Sequence, residues 1–161
     1  MRCPAPHQKL LGVSLARRLR QIAQLSGREW ADLAVATWRL GEAALAIARA
    51  TSPQIRQLAR DGEGKPVALT HGEERLIERI AWALPRAANI VPWRADCLRQ
   101  AEAGRRWLAR HRIHSEIRLG ARRDAQGQPE MHAWLVTGER VVTGGDISSY
   151  SPFGADAVTP H

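Results

Sequence analysis

Apolar residues recur at helical spacing through the first ninety positions, and past Ile117 they alternate with polar ones. Leu11, Leu15, Leu19 and Ile22 predict an amphipathic helix in a basic segment. Ser26 and Glu29 have the spacing of a capping box, and the apolar stripe that follows runs Trp30, Leu33, Ala34, Trp38, Leu45 and Ala48. Ser52-Pro53 supplies an N-cap and first-turn pair for a short helix through Ala59, and positions 61–66 form a polar loop. Thr70 and Glu73 make a second capping box. It opens a helix with Leu76, Ile77, Ile80, Ala81 and Leu84 on one face, and Pro85 marks the expected end. Tryptophans and leucines at this spacing are read as core.

From Trp93 to His111 the pattern predicts another helix, with Asp96 as N-cap, Cys97 in the first turn, and Leu98, Ala101 and Leu108 on one face. Gly104 falls on that face. A mid-helix glycine costs about 0.5–1 kcal/mol against alanine, or else marks a close approach of another element. Ile117, Leu119 and Ala121 then alternate with Arg118, Gly120 and Arg122, which is a strand pattern. A polar loop over 123–129 leads to a second strand from Met131 to Thr137. Gly138-Glu139 is a tight turn and Arg140 to Thr143 a third strand. Gly144-Gly145 breaks it, leaving a weak edge strand near Tyr150. Helices first and a strand meander afterwards predict an α+β fold, a helical N-terminal half packed on a small antiparallel sheet. At 161 residues the chain is expected to be one domain, with a helical portion over 1–90 and a helix plus β-meander over 91–161.

Composition adds two constraints. The hydrophobic share of 44% and charged share of 25% are those of a globular protein, and no run approaches a membrane span. Leu10 to Ala16 is short and is followed at once by Arg17-Arg18, so it is not read as a signal peptide. Cys3 and Cys97 are the only cysteines and do not suggest a disulfide framework, so a reduced, cytoplasmic setting is expected. The net charge of +8 is concentrated between Arg94 and Arg123, where nine arginines face Asp96, Glu102 and Glu116. Such a surface attracts anionic partners, but no nucleic-acid-binding motif accompanies it, and a solvated helix face is the simpler reading.

Candidate chemistry follows from the order of three residues. Cys97 stands at a helix start, His132 on a strand and Asp146 beyond the glycine pair. Taken singly, each has an ordinary structural explanation: a small buried thiol, a satisfied histidine, a turn-forming aspartate. Together they have the order a papain-like or transglutaminase-like thiol nucleophile needs. A helix N-terminus and an imidazolium both favour the thiolate, and a carboxylate would orient the imidazole. A metal site of Cys97 with His111 and His114 is disfavoured, because His111 would lie about 20 Å along the helix from Cys97. No cofactor-binding glycine motif is present.

The runs Arg94-Ala95-Asp96-Cys97-Leu98-Arg99-Gln100-Ala101, Leu108-Ala109-Arg110-His111, Ile117-Arg118-Leu119-Gly120-Ala121 and Met131-His132-Ala133-Trp134-Leu135-Val136 resemble the transglutaminase-like leader peptidases of lasso-peptide biosynthesis. The resemblance covers about Pro92 to Tyr150. It implies a cytoplasmic cysteine protease without cofactor that removes the leader from a ribosomally made precursor peptide. Cys97 would be its nucleophile, His132 its base and Asp146 its orienting acid. In the family the acid also falls a little closer to the histidine, at positions where this chain has Thr143 and Gly144. The helical N-terminal part implies the split form, which works with a separate leader-recognition protein and a macrolactam-forming cyclase. The rival readings are an acyltransferase using the same triad and a non-catalytic basic scaffold for peptide or nucleic acid.

Overall fold

The computed structural model describes residues 25–51, 53 and 68–153. Within them the order is α1 (Gly27–Arg49), α2 (His71–Ala88), α3 (Cys97–Arg110), β1 (Glu116–Arg123), β2 (Pro129–Thr137), β3 (Arg140–Thr143) and β4 (Ser151–Pro152). The strands form one antiparallel sheet in the order β3-β2-β1-β4, and the architecture is α+β. The expected helices over Leu11–Ile22 and Ser52–Ala59 and the loop at 61–66 lie outside the described residues, Pro53 excepted.

Both capping boxes form. The Ser26 hydroxyl accepts the Glu29 N–H at 3.3 Å while the Glu29 carboxylate accepts the Ser26 N–H at 2.7 Å. Thr70 and Glu73 repeat the exchange at the head of α2. The Ser26 and Thr70 hydroxyls also donate to the two carboxylates, and these bonds, with those from the cap N–H groups, hold both glutamates below the ordinary carboxylate range.

The buried face of α1 is not the stripe that the large apolar residues predict. Leu33, Ala36, Leu40, Ala43 and Ile47 are buried, whereas Trp30 is 50% and Trp38 67% exposed. The reading of those tryptophans as core is corrected by packing. The alanines let α2 and α3 approach α1 closely, and indole rings on that face would hold them apart. The same face buries Asp32, whose carboxylate takes a two-pronged hydrogen bond from Arg79 of α2, with Nε at 2.8 Å.

Helix α2 also runs past Pro85 to Ala88. Proline there removes one N–H in the last turn. Beyond it the Asn89 N–H closes on the Pro85 and Arg86 carbonyls. Burial of Leu84 and Ala87 on either side keeps the turn helical.

Helix α3 starts at Cys97 behind the expected N-cap Asp96, which accepts the Arg99 N–H at 3.2 Å, so the residues from Trp93 to Ala95 stand outside the helix. It lies across β2. A Cβ on Gly104 would stand 2.7 Å from Leu135 Cδ2 and 3.2 Å from Leu84 Cδ1, so this glycine marks the close approach of another element. Overpacking costs about 1–3 kcal/mol and better helix propensity returns up to about 1. Gly104→Ala should therefore lower stability by about 1 kcal/mol, read as a lower urea midpoint at unchanged m. An unchanged midpoint would show that Leu135 yields freely.

Strand β1 pairs with β2 in the register Gly120↔His132 and Arg118↔Trp134. Ile117 and Leu135 thereby share the core-facing side, while His132, Trp134 and Gly120 share the other.

Candidate active site

Cys97 opens α3, where the thiol meets the positive end of the helix dipole. Its side chain is partly buried. Cys97 is disulfide-bonded in this structure, which corrects the expectation of a reduced thiol. The chain's other cysteine, Cys3, lies outside the described residues. Chemistry at Cys97 therefore belongs to the reduced chain.

His132 sits on the central strand β2 and is 9% exposed. Its Nε2 lies 2.8 Å from the Gly144 carbonyl oxygen. A carbonyl only accepts, so Nε2 carries the proton and Nδ1 of the neutral ring holds the lone pair. That Nδ1 is buried and has no hydrogen-bond partner among the described residues. The ring is one of three neighbouring aromatic rings. Tyr150 stacks on it with centroids 4.7 Å apart, and Trp134 lies at 6.1 Å. The Arg122 guanidinium covers the outer face of Tyr150 at 4.7 Å and is paired with Glu130. Burial pushes the Tyr150 phenol up, and the Glu130 carboxylate adds to the effect.

Glycines make this stack possible. A Cβ on Gly120 would meet the Ser151 carbonyl at 2.5 Å and Trp134 Cη2 at 2.7 Å, so only glycine lets β4 and the indole share that spot. Gly144 has φ 115° and Gly145 φ 67°, values that turn the chain sharply at the end of β3.

Asp146 is exposed, and its carboxylate accepts the Ser148 N–H at 3.0 Å. Hydrogen bonds from Ser148 hold it below the ordinary aspartate range, and the Arg122 charge assists. No hydrogen bond joins Asp146 to His132; the partner of Nε2 is a backbone oxygen. The Gly144 carbonyl and the Tyr150 ring are the contributions that sequence reasoning missed. Gly144-Gly145 was legible as a strand breaker, but a carbonyl's aim has no residue signature.

The arginine-rich stretch is largely paired. Arg94 and Arg99 meet Asp96, Arg105 and Arg106 both meet the buried Glu102, Arg118 meets Glu116 and Arg122 meets Glu130. Arg110 and Arg112 are exposed and make no salt bridge among the described residues. No group of three His, Cys, Asp or Glu among the described residues is placed to hold a metal ion. No described helix is long and apolar enough to cross a membrane.

Residues 31–155 match the Transglutaminase-like superfamily. No curated protein and no solved structure matches the chain significantly.

Proposed function

The chain belongs to the transglutaminase-like superfamily, which includes cysteine proteases and acyltransferases, and from that premise we propose that it is a thiol peptidase that removes the leader from a lasso-peptide precursor. The observation that carries the reading is the buried Nδ1 of His132, which has no hydrogen-bond partner among the described residues and whose companion nitrogen is already committed. Cys97 is the group we assign to it. Gly104 of α3 rests against Leu135 of β2. That contact sets α3 against the core-facing side of β2, and the pairing of Cys97 with His132 rests on the likeness of their two segments to the lasso leader peptidases.

Nδ1 of His132 takes the thiol proton, and the Cys97 thiolate attacks the carbonyl at the leader–core junction. The resulting imidazolium protonates the leaving amine as the peptide bond breaks, and the leader remains as a thioester on Cys97. Water, losing a proton to the same Nδ1, attacks the thioester. Leader acid departs and the proton returns to the thiolate. The backbone N–H of Cys97, at the helix start, is the natural donor to the oxyanion. Leader specificity rests on the likeness of residues 94–101 and 131–136 to the lasso leader peptidases. With it come a cytoplasmic setting, a separate leader-recognition protein and a downstream macrolactam-forming cyclase.

The test is reconstitution. The chain, reduced with dithiothreitol, is mixed with precursor peptide, with and without the recognition protein, and the products are weighed. Free leader plus core with a free amine is expected, slow for the chain alone and at least tenfold faster with the partner, which raises the effective substrate concentration. Omitting the reductant should abolish turnover. A leader–amine conjugate would favour the acyltransferase, and rapid leader-specific cleavage by the isolated chain would remove the partner from the scheme. Reversing Arg105 or Arg106 is a poor probe of a partner surface, because both hold Glu102. Arg110 and Arg112 are the cleaner choice.

A further inference from the structure

We infer that the imidazole of His132 is oriented by the Gly144 backbone carbonyl rather than by a carboxylate, so that the site works as a Cys-His pair with a main-chain third member. The inference rests on the thiol-peptidase reading and deepens it.

Three observations converge on it. The Nε2–H of His132 is donated to Gly144 O at 2.8 Å, and Tyr150 covers one face of the ring, so the imidazole is fixed without help from a side-chain acid. Asp146 is turned outward and committed to the Ser148 N–H. The position that presents the carbonyl also excludes a side chain: a Cβ on Gly144 would stand 2.4 Å from Trp134 Cβ and 3.4 Å from His132 Nε2. Trimming the indole could not relieve that clash, because Trp134 meets it with its own Cβ. With φ 115° the residue also occupies backbone space that side-chain-bearing residues avoid. An acid at position 144 has no room, and the group that meets Nε2 there is the peptide oxygen.

A carbonyl fixes the tautomer and ring plane as a carboxylate does, leaving Nδ1 as the base. It carries no net charge, so it stabilises the imidazolium less. The Gly144 carbonyl is a positioning group, and its removal should be felt in kcat and in the protonation of the pair more than in KM.

The experiment uses the reduced full-length chain and three readouts: kcat and KM for precursor cleavage with the recognition protein present, the pH profile of Cys97 alkylation by iodoacetamide, and the His132 tautomer by 15N NMR. The His132 resonances are assigned by their loss in His132→Gln. Asp146→Asn, at an exposed site, should keep kcat/KM within twofold and superimpose on the wild-type alkylation profile. Gly144→Ala should lower kcat at least tenfold with little change in KM and move the alkylation profile to higher pH. The neutral ring should carry its proton on Nε2. A hundredfold loss in Asp146→Asn, a fully active Gly144→Ala, or a proton on Nδ1 would each overturn the assignment. Should Gly144→Ala fail to fold, the Asp146→Asn kinetics and the wild-type tautomer still decide. An unreactive Cys97 in reduced wild type would instead defeat the peptidase reading, while the tautomer would still report on the carbonyl.

Discussion

Cys97→Ala should abolish leader removal, with kcat/KM down at least a thousandfold against reduced wild type, while the fold survives. Removing a nucleophile eliminates the covalent route altogether, and what remains is the background from binding and oxyanion donors, typically three or more orders of magnitude slower. Alanine suits the first turn of α3, whose start is set by the Asp96 cap and not by the thiol. The comparison must be made with dithiothreitol present, since Cys97 is disulfide-bonded in the structure and the variant cannot form that bond. Matching circular dichroism and urea midpoints for the variant and the reduced parent would establish an intact fold. Undiminished cleavage by Cys97→Ala would leave the cysteine structural and favour a non-catalytic scaffold.

Loss of the base should be nearly as severe. His132→Gln should reduce kcat/KM by about 100- to 10,000-fold, the range general-base catalysis contributes. The mechanism predicts a signature as well as a size. Without an imidazole the thiol is mostly protonated near neutral pH, so residual activity and Cys97 alkylation should both climb toward alkaline pH. A side chain needed only for folding would give no such climb. Glutamine is preferred to alanine because it fills part of the space under Tyr150 and its amide can still donate to the Gly144 carbonyl. A His132→Gln chain that retains wild-type rates at pH 7 would dismiss His132 as base.

What the sequence determined by itself is local. Ser26 with Glu29, Thr70 with Glu73, and Asp96 ahead of α3 are legible because each cap closes on backbone three residues away, so spacing alone specifies it. The strand alternation around Ile117 is legible for the same reason, since period two follows from the pleat. Cap and period together are enough to put a thiol at a helix start and a histidine on a strand.

The tertiary structure decided everything that depends on what an element meets. Helix α1 carries two apolar faces, and the one with the larger side chains lost. Contact with α2 and α3 selects the small residues Ala36 and Ala43 and leaves Trp30 and Trp38 in solvent. Gly104 and Gly120 look like weak points in a helix and a strand, yet they are the places where Leu135 and the β4 backbone come too close for a Cβ. The hydrogen-bond partner of the His132 imidazole is the clearest case. Asp146 lies only 14 residues past His132 in the sequence, but its carboxylate accepts the Ser148 N–H instead. Every residue offers a carbonyl, so nothing in the letters singles out that of Gly144. Its direction comes from the backbone torsions at the end of β3, and its significance from the imidazole that β2 brings beside it.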